Sequence, residues 1–69
     1  MDRQPVTSSN LASVGYDPTA ETLEVEFKNG LIYQYYNVPQ IMSDQLMQAP
    51  SIGTFFNTNI KNVYACARC

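Results

Sequence analysis

Between Thr22 and Lys28 the residues alternate without a break: Leu23, Val25 and Phe27 are apolar, while Glu24, Glu26 and Lys28 are charged. A period of two does not suit an amphipathic helix, whose apolar positions recur at three and four. It specifies a strand with one packed face and one solvated face. Asn29-Gly30 follows at once, a dipeptide that supplies the left-handed backbone of a hairpin turn. The next run, Leu31 to Tyr36, is then the antiparallel partner, and loop length sets its register. A two-residue turn would place Ile32, Gln34 and Tyr36 beside Val25 and Phe27. A three-residue loop, Lys28-Asn29-Gly30 with Gly30 left-handed, places Leu31, Tyr33 and Tyr35 on the face of Phe27, Val25 and Leu23. A slip of one residue exchanges the faces. The longer loop is expected, because it leaves Gln34 outside with the glutamates.

The other elements follow from punctuation and period. Upstream, a first strand spans about Val6 to Tyr16, with Ala12, Val14 and Tyr16 alternating with Ser13 and Gly15, and Asp17-Pro18-Thr19 reads as a turn. Ser8-Ser9-Asn10 fits either strand or loop. Downstream, Pro39 suits the first position of a helix, Ile41, Met42, Leu46 and Ala49 form its apolar stripe, and Pro50 ends it. Ser51 suits the N-cap of a second helix in which Ile52, Phe56, Ile60, Val63 and Ala67 recur at helical spacing. The order β-β-β-α-α predicts an α+β fold: a three-stranded antiparallel β-meander followed by two α-helices packed on one face. The whole chain, 1–69, reads as a single domain with its core at about 3–64 and a tail at 65–69.

Composition narrows the chemistry. A domain of 69 residues buries too little surface to be robust alone. With only 14% charged residues, it is expected to form a homo-oligomer. Four basic residues against six acidic ones do not make a phosphate-tracking groove for a nucleic-acid polymer, although they suffice for one or two phosphates. There is no histidine, which removes the commonest general base and metal ligand at neutral pH. Glu24 and Glu26 fall on the face read as solvated, where neither acquires the raised pKa of a catalytic acid. Ser8 and Ser9 have no base to activate them. No catalytic residue and no cofactor is expected. Cys66-x-x-Cys69 is half of a zinc site at most and lies at the wrong place for a helix-start redox motif. It reads as a frayed tail of free thiols, so no metal is expected. With no apolar run of membrane length, no signal-like N-terminus and no loop-closing disulfide, the chain reads as a reduced, cytoplasmic protein without a membrane partner.

An ordered series of motifs resembles the KTSC domain, a small domain named after the C-terminus of some lysyl-tRNA synthetases and found also as a stand-alone bacterial or phage protein. The series is Ser8-Ser9-Asn10-Leu11 through Ser13-Val14-Gly15-Tyr16-Asp17, then Leu23-Glu24-Val25-Glu26-Phe27 with Asn29-Gly30. Tyr33-Gln34-Tyr35, Val38-Pro39 and Ala49-Pro50-Ser51-Ile52-Gly53-Thr54-Phe55-Phe56-Asn57 complete it. The likeness runs from about Arg3 to Tyr64. Pro50 and the Cys-Ala-Arg-Cys tail depart from the family pattern. The resemblance implies a domain without an assigned enzymatic activity, for which RNA binding has been suggested.

What remains is a set of groups suited to binding. Tyr33 and Tyr35 face the helices, either as core rings with polar tips or as a stacking platform, and in both cases their edges line a pocket. Tyr36 projects from the opposite face. Asn57 and Lys61 on the second helix, together with Arg3, Ser8, Ser9 and Asn10, add carboxamides, hydroxyls and cations. Rings stack on a base, amides read its edge and cations hold phosphate. The expected function is the binding or sequestration of a nucleotide-type small molecule by a homo-oligomer, as in a phage sponge for a host immune nucleotide signal. An RNA-binding module and a protein-interaction module without a small ligand are the alternatives.

Overall fold

A computed structural model describes all 69 residues. The fold is α+β, as expected, but its antiparallel sheet has five strands in the order β1-β2-β3-β4-β5 rather than three. The strands are β1 (Gln4–Pro5), β2 (Leu11–Asp17), β3 (Thr22–Phe27), β4 (Ile32–Tyr35) and β5 (Cys66–Arg68). The helices α1 (Gln40–Gln48) and α2 (Ile52–Asn59) lie between β4 and β5. Both additional strands are short, wholly exposed edge strands. Neither carries the alternation that marks a half-buried strand, so periodicity does not reveal them. Pro5 is tolerated because an edge strand needs its N–H on one side only.

The central hairpin adopts the three-residue loop. The Phe27 N–H donates to the Leu31 carbonyl at 2.9 Å, the Gly30 N–H returns to the Phe27 carbonyl at 2.9 Å, and Gly30 has φ of 89°. Leu23 therefore faces Tyr35, Val25 faces Tyr33 and Glu24 faces Gln34. On the other side of β3, Val14 pairs with Val25 and Tyr16 with Leu23, but the register shifts between Leu11 and Ser13. This bulge makes Leu11, not Ala12, the fully buried residue at the start of β2. Ser8-Ser9-Asn10 is a loop in which Ser8 Oγ accepts the N–H groups of Asn10 and Leu11.

The helices are shorter than their periodicity suggests. Pro39 precedes α1 as its N-cap, and Ala49 before Pro50 closes it in extended geometry. Leu46 and Ser43 face inward, whereas Ile41 is 64% exposed. Ser51 caps α2 by accepting the Thr54 N–H at 3.4 Å. That helix stops at Asn59, not at Ala67: the Lys61 N–H returns to the Phe56 carbonyl and the Val63 and Tyr64 N–H groups to that of Ile60. Val63 is exposed, and Ala67 sits opposite Gln34 in β5. The tail expected to fray is instead paired, because β4 presents an open edge whose backbone groups need partners.

Leu11, Val14, Leu23, Val25, Tyr35 and Val38 meet Leu46 of α1 and Phe56 and Ile60 at α2 in one core. Both helices thus cover the same face of the sheet. No helix is long and apolar enough to cross a membrane.

Candidate functional site

Polar residues gather in two places. On the sheet face away from the helices, the strand alternation aligns Ser13, Glu24, Glu26 and Gln34. The chain before β1 runs so close to Gly15 that a Cβ there would stand 2.5 Å from the Asp2 carbonyl oxygen. Arg3 consequently lies over this face. Its Nη1 donates to Glu24 Oε2 at 2.6 Å and its Nε to Ser13 Oγ at 3.0 Å. Ser13 Oγ donates to Glu26 Oε1 at 2.9 Å, Gln34 Nε2 to Glu24 Oε1 at 2.9 Å, and the Tyr36 hydroxyl to Gln34 Oε1 at 3.3 Å. Glu24 is only 9% exposed, so this part of the face is covered rather than solvated. The Gln34 amide, outweighing the cost of burial, holds the Glu24 carboxyl below its ordinary value together with Arg3. A carboxylate held ionised in this way is a structural anion, not a proton donor.

The second gathering is a groove of about 350 Å³ on the opposite face, between the β3–β4 hairpin and the turn after α2. Phe27, Tyr33 and Tyr35 give it aromatic walls, Asn29 and Lys61 stand at its rim with Asn62, and Leu31 and Cys66 complete it. The aromatic rings pack edge to face: Phe27 on Tyr33 at 5.7 Å, Phe27 on Phe56 at 5.6 Å and Tyr35 on Phe56 at 5.4 Å. Tyr35 is buried, and burial, with smaller contributions from Cys66 and Tyr33, pushes its phenol up to about 12. Tyr33 is half-buried, so one ring of the pair remains available. Arg68 pairs in register with Tyr33 across β4 and β5 and thus extends the same face. The single salt bridge of the chain is Arg3 to Glu24, which leaves Lys28, Lys61 and Arg68 without a carboxylate partner.

The structure therefore divides the residues expected to bind. Tyr33, Tyr35 and Lys61 converge on the groove. Arg3 and Tyr36 belong to the network on the other face. Ser8 and Asn10 pack on the first turn of α2: a Cβ on Gly53 would lie 2.5 Å from Asn10 Oδ1 and 3.0 Å from Ser8 Oγ. Ser9 and Asn57 are exposed and line no cavity. Phe27, Asn29, Cys66 and Arg68 were not among the expected residues. The loop register places Asn29 beside the rings, but Cys66 and Arg68 become neighbours of Tyr35 and Tyr33 only once the tail is a strand.

The family model of the KTSC domain matches residues 7–64. A crystal structure of a KTSC domain protein from Yersinia pestis superposes with a TM-score of 0.93 at 42% identity, covering 99% of this chain and 96% of that one. An uncharacterized protein of Stutzerimonas stutzeri is 44% identical over 61 residues, 88% of this chain and 86% of its own length. A lysine–tRNA ligase of Nostoc sp. is 43% identical over 49 residues, 71% of this chain but only 9% of the ligase.

Proposed function

The chain belongs to the KTSC domain family, and from that premise we propose that it is a non-catalytic cytoplasmic protein that binds a nucleotide-type ligand in the groove between the β3–β4 hairpin and the Lys61–Asn62 turn. One observation carries the reading. Aromatic edges, two carboxamides and Lys61 line a single concavity, while every basic residue near it lacks an acidic partner. A base fits against Tyr33 and Phe27, the carboxamides of Asn29 and Asn62 meet its polar edge, and Lys61 with Arg68 meets phosphate. The charge is enough for one compact anion and too little for a long polyanion.

Binding without turnover makes sequestration the output, as in a sponge for a nucleotide signal. The groove is open on one side, and a second copy of the chain would close it, which is the physical reason to expect a homo-oligomer. Isothermal titration calorimetry with adenosine monophosphate and a panel of cyclic and linear nucleotides tests the reading. Saturable heat is expected with at least one nucleotide, weakened about tenfold in Lys61→Ala, the usual cost of losing a charge-assisted hydrogen bond. Absence of heat across the panel removes the reading.

A second reading, RNA binding, is favoured by one observation: the domain recurs in lysine–tRNA ligases, which act on an RNA. It predicts a gel shift with transfer RNA that weakens steeply with salt, and a flat salt response eliminates it.

A further inference from the structure

Cys66 and Cys69 are both free and exposed, at the two ends of the segment that closes the sheet. Cys66 pairs with Tyr35, and the Cys69 N–H donates to the Ile32 carbonyl at 2.8 Å. Three extended residues separate their Cα atoms by ~10 Å, since a strand advances about 3.3 Å per residue. A disulfide closes only below a Cα separation of about 7 Å. Alternation adds a second bar. Positions an odd number apart point to opposite sides of the sheet, so Cys66 shares the face of Tyr35 and Cys69 the face of Gln34. The thiols cannot join while β5 is a strand.

We infer that Cys66 and Cys69 form an oxidation site whose closure is incompatible with β5, so that a disulfide between them strips the strand from β4. The oxidant is a low-molecular-weight disulfide such as oxidised glutathione. A Cys thiolate attacks it, releasing one reduced glutathione and leaving a mixed disulfide, and the second Cys displaces the other glutathione to form the intrachain S–S bond. Two protons and two electrons leave the protein, and two glutathione thiols receive them. The loop is only four residues long, so its closure costs little chain entropy. Against it stand the few backbone bonds of an exposed edge strand, among them Tyr36 N–H to Ala65 carbonyl at 2.9 Å.

The consequence is local and readable. Antiparallel residues alternate in the side to which they hydrogen-bond. The bonds of Tyr36 and Ile32 to the β5 segment set the phase, so the Gln34 and Tyr36 amides turn to β5 and those of Tyr33 and Tyr35 to β3. Oxidation removes the partners of the first pair alone. It also takes Cys66 from the wall of the groove and Arg68 from beside Tyr33.

Hydrogen exchange followed by NMR on the full chain, reduced and then treated with oxidised glutathione, tests this directly, with mass spectrometry confirming intrachain closure by loss of two hydrogens. The expected result is exchange at Gln34 and Tyr36 faster by about tenfold or more, as for amides released from a ladder, with Tyr33 and Tyr35 unchanged. Cys69→Ser, given the same oxidant, keeps slow exchange at all four positions. Unchanged Gln34 and Tyr36 exchange in closed protein overturns the inference. So does failure of the intrachain bond to form, or acceleration at all four amides together. None of these readouts depends on the ligand.

Discussion

The two faces of the sheet use similar residues to opposite ends. On the face away from the helices, Arg3, Ser13, Glu24, Glu26, Gln34 and Tyr36 bond to one another. In the groove on the helix face, Lys61 and Asn62 stand beside tyrosine rings, and the cations have no acidic partner. From composition alone, Arg3 and Lys61 are equivalent candidates for holding phosphate. Their surroundings separate them: a guanidinium already bonded to a buried carboxylate would have to break that pair to bind a ligand, whereas an exposed ammonium loses only water. Residue type names what a side chain is able to do, and partnership decides whether it remains free to do it.

The sharpest way to break this contrast is Glu24→Ala. It strands the Arg3 guanidinium and the Gln34 amide at a covered site, and it is expected to lower unfolding free energy by about 2 kcal/mol, below the cost of breaking a fully buried pair because Arg3 keeps some solvent. Urea denaturation measures it, and ligand heat at the groove should survive. Next comes Gly15→Ala. A methyl at 2.5 Å from the Asp2 carbonyl oxygen forces the N-terminal segment away, taking Arg3 with it, at a cost of about 1–2 kcal/mol. The NMR signals of Arg3 and Ser13 should move while those of Tyr33 and Lys61 stay in place.

Acid sharpens the same contrast. Glu24 has a lowered pKa in the fold, so between the folded value and the ordinary one of 4.5 the unfolded chain binds more protons. The stability it contributes is complete above 4.5 and is lost as pH falls through the folded value. Denaturation midpoints should decline over that window in the native sequence and less steeply in Glu24→Gln. The smallest expected effect is on the other face. Lys61→Ala and Arg68→Ala should each change stability by less than about 0.5 kcal/mol, as exposed substitutions do, while weakening nucleotide binding. A large loss of stability in either would show that the groove cations are structural after all.

How much was legible beforehand varied with the kind of signal. The hairpin register followed from Asn29-Gly30 and the preference for Gln34 outside, and Leu23 facing Tyr35 is its result. Helix ends were less legible. The spacing of Val63 and Ala67 continues that of Ile60, yet Val63 is exposed and Ala67 is in a strand. The nine expected binding residues contained the three that share the groove, Tyr33, Tyr35 and Lys61. Nothing in their spacing distinguished them from Arg3 or Tyr36, because spacing carries no information on long-range pairing.

Local pattern by itself determined the α+β class, the central hairpin and the side of the sheet that packs, since alternation, turn chemistry and capping act over a few residues. Tertiary structure alone decided that both ends of the chain become edge strands, that Arg3 is paired with Glu24, and that Lys61 and Arg68 rise beside the same tyrosines. The reason is that open strand edges and buried charges acquire their partners from residues distant in the chain. Which partner each receives depends on how the whole chain closes.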